Sequence, residues 1–188
     1  MNQLLFEFYS GTGVDIRHRS FQELIELGDN FLEKSHDIVQ WLFPLDEPSL
    51  HNKYAPLLDN ETIEKMLESP ECMANLELAG QRFLKFFGDP VSAQTEKPAW
   101  VRPGNHNYLR ITRIIKCYRL FGMDELAEKF FNFGMDLYTE YQDHVGETPV
   151  EFWEEAIGIP QDGSWSEYDT FPTDDDWFDG TPEDDWYY

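Results

Sequence analysis

Residues 106–120 read HNYLRITRIIKCYRL, and this stretch decides the fold class. Its large apolar side chains recur three or four residues apart, which is the spacing of one face of an α-helix. Gly122 follows as a stop, because glycine adopts the left-handed conformation that ends many helices. The stretch therefore predicts a helix beginning near Asn105, with an apolar face formed by Tyr108, Ile111, Ile115 and Tyr118.

A second apolar stretch, HDIVQWLFP over residues 36–44, predicts a shorter helix. Pro44 ends it, because proline disfavours helical geometry in the preceding residue. The Trp41-Leu42-Phe43 cluster could line a ligand pocket, but large apolar side chains inside a helical protein more often form the core. We therefore assign this cluster to the core.

Helical spacing and capping signals continue up to about residue 158. Ser20 and Glu23 form a capping-box pattern, so one helix is expected over residues 20–34. Pro70 stands at a first helical position and Gly88 at a helix end, which predicts a long helix between them. Asn60 and Asp124 are each predicted to cap a further helix, and Thr148-Pro149 is predicted to open a last one. A loop over residues 89–104 is predicted to be held by Trp100. The sequence predicts an all-α fold, with a single multi-helix bundle domain over residues 1–158.

Charge is distributed unevenly along the chain. The sequence holds 37 acidic and 14 basic residues, a net charge of −23, and fourteen of the acids but none of the bases lie in residues 147–188. Such a field repels nucleic-acid phosphates and anionic membranes, and it attracts basic partners. Direct binding of nucleic acid is therefore not expected, and a basic or multivalent protein partner is.

Residues 159–188, the acidic tail, are rich in Gly, Ser, Thr, Pro and Asp and show no periodicity. Acidic repulsion without aliphatic side chains does not offset the entropy lost on folding, so the tail is predicted to be disordered. A short acidic-aromatic motif occurs at residues 172–178 and again at residues 182–187. Its aromatic residues are the candidate partner-binding residues of the tail: Trp177, Phe178, Trp186 and Tyr187. Alternatively, the tail folds back on the helix of Arg110 to Arg119, or only keeps the protein soluble.

Compartment and membrane signals are few. The first residues lack the basic start and continuous apolar run of a signal peptide, and the most apolar segment, residues 38–45, is too short to span a bilayer. Cys72 and Cys117 each fall in a predicted helix, which favours buried thiols over a disulfide. The expected location is the cytoplasm or the nucleus, without a membrane span.

Residues 36–44 and residues 106–115 together resemble signature blocks of the opioid growth factor receptor conserved domain. Shorter matches stand in the expected order: Phe8-Tyr9 with Gly11, Glu47-Pro48-Ser49, Ala55-Pro56-Leu57, and Phe86-Phe87-Gly88. The resemblance covers about residues 5–142 and implies the fold of that family. Through the family name it also implies receptor activity toward an opioid pentapeptide and an association with the nucleus. It assigns no individual binding residue.

The predicted helix at residues 106–120 carries a basic run, Arg110, Arg113, Lys116 and Arg119, in an otherwise acidic chain. These side chains fan over about half of the helix circumference, and the pair most expected to share a direction is Arg110 with Arg113. One interpretation is that they pair with internal acids. The other is an anion or carboxylate clamp, because the forked guanidinium suits carboxylates. The candidate ligand-binding residues are His36, His106, Asn107, Arg110 and Arg113.

Catalytic and metal-binding signals are weak. Glu33 and His36 have the Glu-x-x-His spacing of carboxylate-bridged metal bundles, but such sites need a second copy that this sequence lacks. The five histidines form no recognised catalytic arrangement, so no catalytic residue, metal or cofactor is predicted.

Three functions remain open. The first is a non-enzymatic binding module whose partner is a basic protein or a peptide. The second is an acidic mimic of nucleic acid that occupies a DNA- or RNA-binding protein. The third is an enzyme of unknown reaction that acts on an anionic small molecule near Arg110 and Arg113.

Overall fold

The computed structural model describes residues 1–49 and 52–158, and this part of the chain contains helices and no β-strand. The all-α prediction is thus confirmed for the described residues, whereas the predicted disorder of the acidic tail lies outside them. One isolated bridge joins Leu45 to Leu57 in the connection after the fourth helix. The helices are α1 (Gln3–Tyr9), α2 (Phe21–Glu26), α3 (Asp29–Lys34), α4 (His36–Leu42), α5 (Asn60–Leu67), α6 (Pro70–Phe87), α7 (Asn107–Leu120), α8 (Asp124–Val145) and α9 (Thr148–Ile157), with a 3-10 turn at Val91–Ala93.

Helix α7 packs against both α8 and α9, and α8 also packs against α9. Trp153 of α9 is fully buried and donates its indole N–H to the Tyr108 carbonyl at 3.1 Å. Gly134 of α8 makes room for this ring, because a Cβ there would lie 2.7 Å from the Trp153 indole. These contacts bury most of α7, as its apolar spacing predicts.

The N-terminal helices form the other half of the core around α4. Phe8 of α1 meets the Trp41 ring edge to face, with centroids 5.3 Å apart. Phe43 packs in the same way on Phe83 of α6, at 5.2 Å. Trp41 is only 2% exposed and Phe43 is fully buried, so the assignment of the Trp41 cluster to the core is confirmed.

The single helix expected over residues 20–34 is wrong, because the chain breaks between α2 and α3. Leu27 is extended, with φ −61° and ψ 141°. Arg82 of α6 replaces the lost helical bonds, donating to the Ile25 carbonyl at 3.2 Å and to the Leu27 carbonyl at 2.6 Å. It also pairs with Asp29 at 2.7 Å. A distant guanidinium therefore stabilises a break that local spacing does not reveal.

The predicted helix ends agree with the structure in most places and differ in a few. The Ser20–Glu23 capping box is formed, and Gly88 ends α6 with φ 94°. Trp100 packs on Phe87 and donates to its carbonyl at 3.2 Å, as expected for the residue that holds the 89–104 loop. Two expected caps are wrong: Asp59 rather than Asn60 caps α5, and Met123 precedes α8 without a side-chain cap. Residues 4–9 lie in α1, although no helix is predicted there from the sequence.

Across residues 1–49 and 52–158, no helix is both long enough and apolar enough to cross a bilayer.

We expect Gly80→Ala to destabilise the fold by about 1–3 kcal/mol, as overpacking of a core does. A Cβ at Gly80 would lie 2.0 Å from the Tyr118 hydroxyl, which is buried and donates to the Leu76 carbonyl at 3.0 Å. Helix propensity alone would favour Ala over Gly by about 1 kcal/mol. A lower free energy of unfolding in Gly80→Ala therefore indicates that packing dominates, and a higher one indicates that propensity dominates. The measurement is the free energy of unfolding in denaturant.

The exposed Ala74 of α6 provides the matched control, because Ala74→Gly should cost about 1 kcal/mol through propensity alone. In a Tyr118→Phe background the cost of Gly80→Ala should shrink, because the clashing oxygen is gone. Stabilisation by Gly80→Ala would contradict this packing account.

Candidate functional site

The candidate residues lie where α7 meets both ends of α4. Arg110 reaches the junction before α4, donating to the carbonyls of Glu33 at 3.3 Å and Ser35 at 3.4 Å. Arg113 reaches the other end, where its Nε donates to the Phe43 carbonyl at 2.7 Å. The expectation that the two arginines share a direction is therefore wrong. They instead hold opposite ends of one short helix against α7.

Arg110 is 4% exposed and belongs to a polar cluster, which we call the Glu33 cluster: Glu33, His36, His106, Asn107 and Arg110. Asn107 and Arg110 are buried, Glu33 and His106 are half-buried, and His36 is exposed. Arg110 donates to the Asn107 side-chain oxygen at 3.0 Å, and the Asn107 amide donates to the Glu33 carboxylate at 2.9 Å. The Asn107 side chain thus connects the Arg110 guanidinium to the Glu33 carboxylate by two hydrogen bonds. Asn105 fixes its position by accepting the Asn107 backbone N–H at 2.8 Å.

The two histidines of the Glu33 cluster meet edge to face, with ring centroids 5.1 Å apart. His106 Nε2 lies 3.7 Å from the Glu33 carboxylate and is buried without a hydrogen-bond partner among the described residues. Burial first, then the charges of Arg110, His36 and Arg102, lowers the pKa of His106 to about 3, against a weaker opposing effect of a hydrogen bond to the Glu33 backbone. His106 is therefore neutral near pH 7, and its contact with Glu33 is not an ion pair.

The structure thus brings together four of the five candidate ligand-binding residues, His36, His106, Asn107 and Arg110, and places Arg113 elsewhere. The remaining cations of the basic run pair with acids: Lys116 with Glu47 at 3.4 Å and Arg119 with Asp124 at 2.6 Å. Pairing with acids therefore holds for the two outer cations, whereas the two inner arginines donate to backbone carbonyls, and the anion clamp stays a prediction. The tail residues Trp177, Phe178, Trp186 and Tyr187 lie outside the described part of the chain.

Two participants are absent from the sequence-based candidates. The sequence points to Glu33 only as half of a metal motif, yet its carboxylate accepts from Asn107 and lies beside His106. Tyr9 of α1 is fully buried and donates its hydroxyl to the Leu42 carbonyl at the end of α4. Burial raises the pKa of Tyr9 well above its ordinary value, so it remains a donor. No spacing in the sequence connects either residue to α7.

The chemistry available at the Glu33 cluster is polar recognition. Within residues 1–49 and 52–158, no group of three or more His, Cys, Asp and Glu side chains is placed to hold a metal ion. Arg110 and Asn107 could donate to a bound carboxylate if the Glu33 side chain moved aside, since Asn107 already donates to the Glu33 carboxylate there.

Comparison with known proteins places this arrangement in a family. The family model of the opioid growth factor receptor (OGFr) conserved region matches residues 15–160, which is most of the chain. The chain belongs to this family. The match includes both signature blocks and extends through α9, so the resemblance of the two blocks to this family is confirmed.

Curated relatives support the same assignment. The chain is 36% identical over 114 residues to opioid growth factor receptor-like protein 1 of Mus musculus, covering 54% of this chain and 24% of that protein. It is 37% identical over 95 residues to the Xenopus tropicalis protein of the same name, covering 45% and 18%. It is 31% identical over 121 residues to the opioid growth factor receptor of Homo sapiens, covering 57% and 18%. The matches thus span a quarter or less of each relative. No solved structure gives a significant match.

We expect the stability of the fold to fall as pH drops from about 6.5 toward 3, in part through His106. Its pKa in the folded protein, about 3, is below the ordinary 6.5, so the unfolded chain binds this proton first. The contribution is complete above pH 6.5 and decreases by at most about 1.4 kcal/mol per pH unit below it. Denaturant unfolding at several pH values measures the slope, and His106→Gln should flatten it.

His144→Gln is the matched control, because that side chain is exposed. The control should keep the wild-type slope. An equal slope in the wild type and in His106→Gln would show that His106 is not the group responsible.

Proposed function

We propose that this chain is a non-enzymatic protein-binding module, in which the helical domain of residues 1–158 is the folding unit and the acidic tail recruits a basic partner. The observation that carries the proposal is the charge distribution. Ten acids and no base lie in residues 159–188, together with two copies of an acidic-aromatic motif. Membership in the OGFr conserved-region family is compatible with a binding role.

The mode of recognition follows from the residues of the motif. Aromatic rings at Trp177 and Trp186 would enter apolar pockets of a partner while the adjacent carboxylates meet Lys or Arg around those pockets. Each copy alone is weak, because a segment that is predicted to be disordered loses entropy when it binds. Two copies offset part of that cost, since binding of the first raises the effective concentration of the second. A multivalent basic partner fits best.

A peptide is the second candidate ligand, and the Glu33 cluster is its candidate site. The observation in its favour is the buried His106 Nε2, which has no hydrogen-bond partner among the described residues and lies near Arg102 and Arg110. A peptide C-terminal carboxylate would displace Glu33 and accept from Arg110 and Asn107. Several of the relatives carry the printed name opioid growth factor receptor, so an opioid pentapeptide is the probe to use.

The two other functions have less support. A nucleic-acid mimic needs acids spread over a rigid face, whereas −14 of the net charge of −23 lies in residues 147–188, most of which belong to the acidic tail. An enzyme that acts near Arg110 and Arg113 would need both arginines on one substrate, and they lie at opposite ends of α4.

We expect Trp177→Ala and Trp186→Ala each to weaken binding of the full chain to a lysine-rich, leucine-bearing peptide by about 100-fold, because either change removes bivalency. The double variant should lose binding altogether. Isothermal titration at low and moderate salt measures both effects, and affinity should fall steeply with salt.

Trp165→Ala is the matched control, because Trp165 lies in the acidic tail outside both motifs. It should bind as the wild type does, and equal affinity of the wild type and all four variants would rule out the motif proposal. In the same assay, an opioid pentapeptide and its C-terminal amide test the second candidate. The Glu33 cluster would be supported if the amide binds the wild type more weakly than the pentapeptide does and if this difference is lost in His106→Gln. Equal binding of the pentapeptide and its amide to the wild type would exclude carboxylate recognition there.

A further inference from the structure

The exposed side of α7 is a narrow cationic strip. Of the residues in this helix, only Leu109, Arg113, Lys116, Arg119 and Leu120 keep part of their surface exposed, and the others are buried. Their spacing keeps them on one side of the helix. The strip is roughly 16 Å long at the helical rise of 1.5 Å per residue. It therefore has three cations in the middle and a leucine at each end, and we call it the α7 strip.

Two ion pairs that join the α7 strip to the body are weak. Lys116 meets Glu47 and Arg119 meets Asp124, and these two carboxylates are 50% and 59% exposed. Exposed ion pairs of this kind contribute about 0–1 kcal/mol, so another carboxylate can replace them at little cost. Arg113 differs from these two cations, because its Nε donates to the Phe43 carbonyl. This hydrogen bond positions the guanidinium at the edge of the strip.

The strip also stands out in charge from the helices that follow it. It holds three of the 14 bases, Arg113, Lys116 and Arg119, whereas residues 124–158 hold ten acids and only one base, Lys129. An acidic segment near this molecule is therefore repelled by α8 and α9 and attracted to the α7 strip.

We propose that the α7 strip is the docking site of residues 172–187 of the same chain. This inference rests on the proposed function, since it assigns a resting place to the same acidic-aromatic motifs. The carboxylates of residues 174–176 would meet Arg113, Lys116 and Arg119. The neighbouring rings of Trp177 and Phe178 would cover Leu109 or Leu120, so the strip and the motif match in charge and in apolar ends.

The length of chain permits this contact. Helix α9 packs against α7 and ends at Ile157, and fifteen residues separate Gly158 from Asp174. Fifteen extended residues reach roughly 50 Å, which exceeds the distance across a domain of this size. Tethering also raises the effective concentration of the motif to the millimolar range, so a weak contact is sufficient. A basic partner then has to compete with the α7 strip for the motifs.

The test compares two full-length variants that each lose two positive charges. Lys116→Gln with Arg119→Gln removes cations of the strip, and Lys65→Gln with Lys129→Gln removes exposed cations elsewhere. The measurement is the ¹⁵N heteronuclear NOE of the Trp177 and Trp186 indole N–H groups at low salt, assigned with Trp→Phe variants. We expect a loss of NOE at one or both indoles in the strip variant and wild-type values in the control. Salt near 1 M should reproduce the loss in the wild type.

Equal NOE values in the wild type and the strip variant would overturn the docking proposal. So would NOE values that depend on protein concentration, because they would place the motif on a second copy. The lysine-rich peptide of the binding assay separates this failure from failure of the proposed function. If the docked state is 90% populated, the strip variant should bind that peptide about 10-fold more tightly than the control. Peptide binding without an NOE difference would reject only the docking, and an NOE difference without peptide binding would reject only the proposed function.

Discussion

The fold depends on hydrogen bonds from distant side chains to the backbone carbonyls at the two ends of α4. A helix of seven residues is too short to be stable alone, and its last carbonyls have no partner within the helix. Tyr9 from α1 donates to Leu42, and Arg113 from α7 donates to Phe43. Arg110 donates to the carbonyls of Glu33 and Ser35 just before the helix. The short central helix is thereby fixed between the N-terminal helices and the α7–α9 unit.

This constraint explains why the two most distinctive stretches of sequence belong together. Residues 36–44 provide α4 and its end, and residues 106–115 provide the side chains that bind it. A lysine at Arg110 could not donate from separate nitrogens to Asn107 and to two carbonyls in the same geometry. The two stretches that resemble the family's signature blocks therefore form an interface inside the fold. Polar side chains at this interface also form the Glu33 cluster.

Much of the fold could be predicted from local sequence, because local signals determine helix type and helix ends. The Ser20 capping box, the proline that opens α6 and the glycine that ends it act within a few residues. The break at Leu27 could not be predicted, because the groups that stabilise it belong to Arg82, 55 residues away. The candidate site was predicted only in part for the same reason. Residue type indicated Arg110, His106 and Asn107, but only the tertiary arrangement shows that Glu33 completes the cluster and that Arg113 faces the other end of α4.

The charge pattern assigns different roles to different parts of the chain. The inner cations of α7 are used in folding, its outer cations remain on the surface, and the acids are concentrated in α8, α9 and the acidic tail. In the proposed function, binding is therefore governed by competition among charged groups rather than by a rigid pocket.

The central claim is that Arg110 and Arg113 primarily hold α4. Amide hydrogen exchange of residues 38–43 tests it most directly, with Arg110→Met and Arg113→Met compared against Arg119→Met. Loss of a hydrogen bond from a charged donor to a buried acceptor costs about 1.5–3 kcal/mol, so both inner variants should lose protection in α4 by about that amount. The exposed Arg119→Met should change it by less than about 0.5 kcal/mol. Unchanged protection of α4 in the two inner variants would contradict the claim.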